Sequence, residues 1–393
     1  MVDSAAIIKS YAAPHAPSSL DHAVVYRRED EFCSWPYTSG FWENGEGTLI
    51  ANFSARTVKY ASGDEINHDA LEAGSGSDPK TVTVRSHDRG RTWDGDDPQI
   101  NMFSGIVERG ADVAASLQPW APIDYLDPQL LVANASVGGF AVKESRGTVR
   151  ISKDGGDSWT PPVILPLDGL VSTTGIHSTL VRPDGRCLLF MFEVDKDNAN
   201  RHPLVYRSTA DGTQFHFMSY ITPQSDPKWN VAGDYAGSIR FIGHRWFYPR
   251  GYLLPTGRML CSLRCQRDPR GVMWTEIYYS DDGGETWDFL NRINDWGAPA
   301  DLVVMPDGRV VAVYGYRLAP SGIRASVSED GGRTWGPELI IRDDGGSWDL
   351  GYPNAWVAGD GQVGTLYYFN SKNDRVKANG GVRHIARSIF SID

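Results

Sequence analysis

The chain has 393 residues, 41% of them hydrophobic, with 13 Trp, 17 Tyr and 42 Gly, which is ample material for a core and a balance that favours strands. Its formal net charge of −11, with no block of Lys or Arg, argues against nucleic acid or an anionic membrane as the main partner, but leaves room for an acidic sugar held by a few local arginines. Cys261 and Cys265 would lie about 13 Å apart on an extended strand, beyond disulfide reach, and all four cysteines are expected to be buried free thiols with no metal-ligand spacing.

The opening stretch MVDSAAIIKSYAAPHAPSSLD lacks the basic-then-apolar run of a signal peptide, and no apolar run is long enough to cross a bilayer. A soluble protein is expected, cytoplasmic as the chain stands, or secreted or periplasmic if an export signal has been removed. HAVVYRR, at 22–28, reads as a strand. From there a turn glycine between apolar runs recurs, in ENGEGTLIANFS, VRPDGRCLLFMF, LLPTGRMLCSLR, VVMPDGRVVAVYGYR and WVAGDGQVGTLYYF, and each reads as a two-strand hairpin.

A second motif follows most of these hairpins. The spacing S-x-D-x-G-x-x-W holds at Ser86–Trp93, Ser152–Trp159, Ser280–Trp287 and Ser328–Trp335, with a degenerate copy at Ser208, Gly212 and Phe215 in which Ala210 replaces the aspartate. From turn glycine to the next motif serine there are 23, 23 and 20 residues in the later copies, enough for a second strand, a loop and a third strand. The repeating unit is therefore four antiparallel strands, a propeller blade. The predicted blades cover 33–100, 127–165, 176–220, 244–292 and 298–340, with a sixth from near 347 that lacks an outer strand. The expected fold is all-β: a single six-bladed β-propeller domain over 1–393, its last blade closed by the strand near 22–28. The motif residues are structural, because Asp caps backbone amides, Gly takes unusual dihedrals and Trp packs between sheets.

If hairpin turns and motif turns share one rim, function belongs to the other. Seven to nine residues beyond each turn glycine the chain places Arg56, Glu193, Arg264, Tyr316 with Arg317, and Tyr368 there; the starts of the first strands add Trp35, His177, Asp349 and Tyr352. Arginines, tyrosines and carboxylates in this density suit an anionic, hydroxylated ligand. Between Gly47 and Ser86 lie 39 residues rather than 20 to 23, and the extra segment carries Asp64, Glu65, His68 and Asp69 as candidate proton donors.

Repeated Asp-box motifs in six blades resemble the sialidase (neuraminidase) superfamily across nearly the whole chain. The resemblance implies an arginine cluster for a substrate carboxylate, a tyrosine nucleophile with a glutamate partner, and an aspartate acid in the first blade. DLGYPNAWVAGDGQVGTLYY maps the tyrosine onto Tyr352, RGYLLPTGRMLCSLR maps one arginine onto Arg264, and YRLAPSGIRASVSEDGG maps another onto Arg324, with Arg317 as alternate. Two features depart from the pattern. CSWPYTS stands where the superfamily has Arg-Ile-Pro, leaving Arg56 as a substitute, and Tyr248, Pro249 and Arg250 stand where a glutamate should precede Arg264.

Three readings remain open. The first is a glycoside hydrolase cleaving at an acidic sugar, with Tyr352 as nucleophile, Asp64 or Asp69 as acid, and Arg264 and Arg324 on the carboxylate. The second is a polysaccharide lyase in which Tyr352 and His177 remove the proton alpha to a uronate carboxylate. The third is a non-catalytic carbohydrate-binding propeller. Each takes an acidic oligosaccharide or polysaccharide as partner, and no cofactor is implied, since Walker, dinucleotide and zincin spacings are missing from the sequence.

Overall fold

A computed structural model describes residues 13–61, 75–102, 122–195, 201–223, 234–235, 239–240, 245–266 and 273–393. The box motifs form one turn four times over. In each, the serine hydroxyl donates to the aspartate at 2.7–2.8 Å and accepts the glycine N–H at 2.8 Å. The Thr or Ser four residues after the aspartate adds its backbone N–H to the same carboxylate at 2.8–3.0 Å. These bonds, those from Ser158 first among them, pull the Asp154 carboxyl down to about 2. In two boxes the tryptophan indole N–H donates to the motif glycine's carbonyl at 3.1 Å, from Trp93 to Gly90 and from Trp287 to Gly284. In the degenerate copy Asp211 takes over, accepting from Thr209 Oγ1 at 2.6 Å and from the Thr213 N–H at 3.2 Å.

The strands assemble into the six blades of a β-propeller. In blade one the inner strand is split into Glu31–Ser34 and Phe41–Glu43, both paired with Leu49–Thr57, and Ser77–Ser86 and Gln99–Ile100 follow. Blade two has three strands among the described residues: Leu131–Val137, Arg146–Ser152 and Val163–Ile164. Blade three runs Thr174–Val181, Cys187–Val194, Arg201–Ser208, Phe215–Tyr220. Blade four runs Arg245–Leu253, Met259–Gln266, Met273–Ser280, Asp288–Arg292. Blade five runs Gly297–Val304, Val310–Tyr316, Gly322–Ser328, Leu339–Arg342. In blade six Gly351–Gly359, Gln362–Phe369 and His384–Phe390 are joined on the outside by Leu20–Tyr26, which pairs antiparallel with His384–Phe390.

Two compact units emerge from the packing. Blades one, five and six belong to the first (1–43, 47–102, 296–393), and blades two, three and four to the second (44–46, 103–295). Between blades five and six the first unit buries Val311, Val313, Ile323, Tyr367, Phe369 and Phe390. The second unit has a cluster between blades two and three (Val149, Leu189, Met191, Tyr206) and one between blades three and four (Phe190, Leu263, Trp274, Tyr278). Alternate strand residues supply these clusters, as a period of two requires. All four cysteines are free and buried, two of them inside the last cluster. No helix among the described residues is long and apolar enough to cross a membrane.

Candidate active site

The inner strands share an irregularity. Register shifts fall between Gly175 and Ser178 in blade three, Phe247 and Arg250 in blade four, Gly297 and Ala300 in blade five, and Gly351 and Asn354 in blade six. An extra residue at such a bulge bends the strand and re-aims a side chain. At three of the bulges a large side chain sits on left-handed backbone: His177 (φ 57°), Tyr248 (φ 58°) and Tyr352 (φ 49°). Trp35 (φ 53°) does the same where blade one's inner strand breaks, its carbonyl accepting from the Thr38 N–H and the Ser39 hydroxyl of the four-residue helix Pro36–Ser39. Left-handed backbone costs a non-glycine residue of order 1–3 kcal/mol, and such residues concentrate at functional sites.

In the first unit, Tyr352 is buried, with the Tyr368 ring 5.8 Å away and edge-on. The Arg317 guanidinium lies 5.7 Å from the Tyr352 centroid and is fixed by donating to the carbonyls of Trp348 (2.9 Å) and Ala298 (3.2 Å). Tyr368 donates its hydroxyl to Asp349 at 2.5 Å, and the opposite oxygen of that carboxylate faces Arg383 at 3.5 Å. Burial, and then the Asp349 charge, push the Tyr368 phenol well above its ordinary range, so it remains a hydrogen-bond donor at neutral pH. Arg383 is almost wholly buried and also donates to Ser347 and to the carbonyls of Asn379 and Gly381. Arg324 is buried beneath Tyr316, 4.8 Å from its ring.

In the second unit the cationic groups converge from three blades. Burial comes first, and the charges of Arg150 and Arg250 next, in lowering the His177 imidazole to about 3. Burial also holds the Arg150 guanidinium below its ordinary value. Desolvation therefore outweighs whatever favourable interactions the cation makes. Arg264, also buried, lies 5.4 Å from both the Phe247 and Tyr248 rings and donates to Gln266 at 2.6 Å.

Of the residues singled out from sequence, Tyr352, Arg317 and Asp349 come together around Tyr368, with Arg317 rather than Arg324 over the tyrosine ring. His177 lies with Arg150 and Arg250 in the second unit, and Arg264 lies in the same unit against Phe247 and Tyr248. Two candidates are engaged elsewhere. Arg56 donates to the Ser75 carbonyl at 3.3 Å, and Glu193 spends one oxygen on the Val171 N–H (2.7 Å) and the other on the Tyr220 hydroxyl (2.8 Å). Asp64 and Asp69 lie outside the described residues. Sequence reasoning passed over Arg383 and Arg150, and marked Tyr248 and Arg250 only as standing where a glutamate was expected. For Arg150 and Arg383 the available signal was an arginine set inside a strongly apolar strand pattern, GTVRIS and GGVRHIA, where a charge stays only if it is held.

Six blades, four of them closed by an exact Asp-box turn, with strained bulges on inner strands, define a six-bladed β-propeller of the Asp-box kind. The chain belongs to the BNR repeat-like domain family, whose model matches residues 120–365. Among solved structures, a Dyadobacter fermentans protein of unknown function aligns with 21% identity and a TM-score of 0.69 over 96% of this chain and 100% of that one. Trypanosoma rangeli sialidase in complex with sialic acid aligns at 14% identity and a TM-score of 0.56, over 96% of this chain and 59% of the sialidase. The Fusarium graminearum α-L-arabinofuranosidase Arb93A aligns at 13% and 0.54, over 98% of both chains. At these identities the likeness is one of fold; the neighbours include glycoside hydrolases of different specificity. None of the curated proteins matches the chain.

Proposed function

We propose that the protein is a glycoside hydrolase that cleaves the bond to an acidic sugar. The observation that carries this reading is the placement of Tyr352, buried on left-handed backbone at an inner-strand bulge, with Arg317 over its ring and the Tyr368–Asp349 pair beside it. A tyrosine nucleophile has to be held in one orientation, and the bulge, the Arg317 guanidinium and the Tyr368 ring hold this one. In the proposed reaction the Tyr352 oxygen, its proton released to solvent, attacks the anomeric carbon and displaces the leaving oxygen, which takes the proton of Asp64 or Asp69. Water then attacks the tyrosyl glycoside: its hydroxyl goes to the sugar and its proton to the carboxylate, and the departing tyrosine oxygen recovers a proton from solvent. Arg324, buried in the same unit, is the proposed carboxylate ligand, because a desolvated guanidinium binds a planar carboxylate through two charge-assisted bonds.

The state of His177 favours hydrolysis over elimination. An imidazole held near 3 is a weak base, ill suited to removing a proton from carbon at neutral pH. The test is a mass balance on sialosides and uronic-acid glycans incubated with the protein. Products that have gained one water are expected, and Tyr352→Phe should slow their release by at least about a thousandfold. Products that lack the added water and absorb in the ultraviolet would replace hydrolysis by elimination, and a glycan bound but never cleaved would leave a binding propeller.

A further inference from the structure

Phe140 stands in the turn between the blade-two strands Leu131–Val137 and Arg146–Ser152, in the second unit, with 50% of its surface exposed. A phenyl ring left in water is unfavourable, and a slack loop would fold it away. Here the backbone holds it out. Gly138 (φ 80°), Gly139 (φ 126°) and Ala141 (φ 56°) all take left-handed or related conformations, and a Cβ on Gly138 would lie 2.5 Å from the Glu144 carbonyl oxygen. Ser145 locks the turn by donating its hydroxyl to the Gly139 carbonyl (3.0 Å) and accepting the Val142 N–H (3.2 Å). The fully buried Phe192 meets the Phe140 ring edge-on at 6.2 Å and fixes its plane.

What this ring faces gives it a use. Tyr248, positioned by the blade-four bulge, lies 6.3 Å from it at an interplanar angle of 34°, and the Arg264 guanidinium is 5.4 Å from the Tyr248 centroid. A half-exposed aromatic ring, an inclined phenol and a buried guanidinium thus follow one another by contact within the second unit. A pyranose presents an apolar C–H face that stacks on an aromatic ring and a polar rim that bonds to hydroxyls, while a carboxylate takes the guanidinium.

We propose that Phe140, Tyr248 and Arg264 form a glycan subsite in which Arg264 holds the carboxylate of one sugar and Phe140 is the platform for the sugar linked to it. The preferred ligand is then an acidic oligosaccharide rather than a single acidic sugar. This rests on the acidic-glycan reading above.

The test compares an acidic di- or trisaccharide with the methyl glycoside of the same acidic sugar, using wild type, Phe140→Ala and Phe140→Tyr of matched thermal stability. Phe140→Ala should raise KM for the oligosaccharide about tenfold with kcat little changed, leave the methyl glycoside unaffected, and be rescued by Phe140→Tyr. Equal losses on both substrates, or no loss on either, would overturn the subsite while the hydrolase stands. Calorimetric binding of the same oligosaccharide separates the two proposals. If wild type binds it without turnover and Phe140→Ala weakens binding about tenfold, hydrolysis is wrong and the subsite right. If wild type binds no acidic glycan, both fall.

Discussion

In the box turn Ser328–Trp335 the serine, aspartate, glycine and threonine spend their polar atoms on one another, whereas at the blade-six bulge Tyr352 is held on strained backbone and meets Arg317, just past a blade-five strand, and Tyr368 of the next strand. Both features recur around the molecule. The box repeats its residues as well as its shape, while the bulge repeats only its shape, presenting His177, Tyr248 or Tyr352 by turns. A feature that satisfies itself locally fixes the fold. One that leaves its side chain to be used by distant neighbours provides a scaffold on which chemistry can vary.

The sharpest way to break the box side of this comparison is Gly90→Ala. A Cβ there would lie 2.1 Å from the Trp356 ring on backbone at φ 81°, so a loss of about 3 kcal/mol or more is expected in denaturant unfolding. Unchanged stability would mean that box and neighbouring blade are not tightly packed.

On the bulge side the informative change is His177→Asn, which tolerates left-handed backbone. Its imidazole is lowered from 6.5 to about 3, so the unfolded chain binds the extra proton and the folded protein loses stability as pH falls through that window. Between pH 7 and 4 the variant should lose about 2–3 kcal/mol less than wild type. Parallel pH profiles for the two proteins would show that His177 titrates normally. The smallest expected effect is Ser328→Ala, which leaves the Gly332 N–H without its acceptor and should cost about 1–2 kcal/mol with no change in glycan cleavage. A loss of cleavage at full stability would give the box a role in function and erase the distinction drawn here.

The same contrast explains what could be read from sequence. Turn glycines 47, 185, 257, 308 and 361 all have φ between 73° and 89°, and the box residues bond within eight positions, so spacing alone revealed the blades. Arg317 was reachable by counting from those turns, and Asp349 and Tyr352 as residues at the start of a blade's first strand. Tyr248 was visible only as a departure from the expected glutamate, and its placement was not, because a bulge inserts a residue without leaving a local mark. Arg383 escaped notice because its partner Asp349 is 34 positions away, and Phe140 because an exposed aromatic in a glycine turn looks like any surface residue until Phe192 and Tyr248 are seen beside it.

The pairing of Leu20–Tyr26 with His384–Phe390 has a consequence for synthesis. Ala23 lies opposite Arg387 and Leu20 opposite Phe390, so 364 positions (387 minus 23) separate the strand from its partner in the order of translation. At 5–20 residues per second that strand waits about 20–70 s with an open edge, at risk of pairing with another nascent chain. The exposed carboxylate of Asp21 is of the kind that discourages such pairing until Arg387 arrives to meet it.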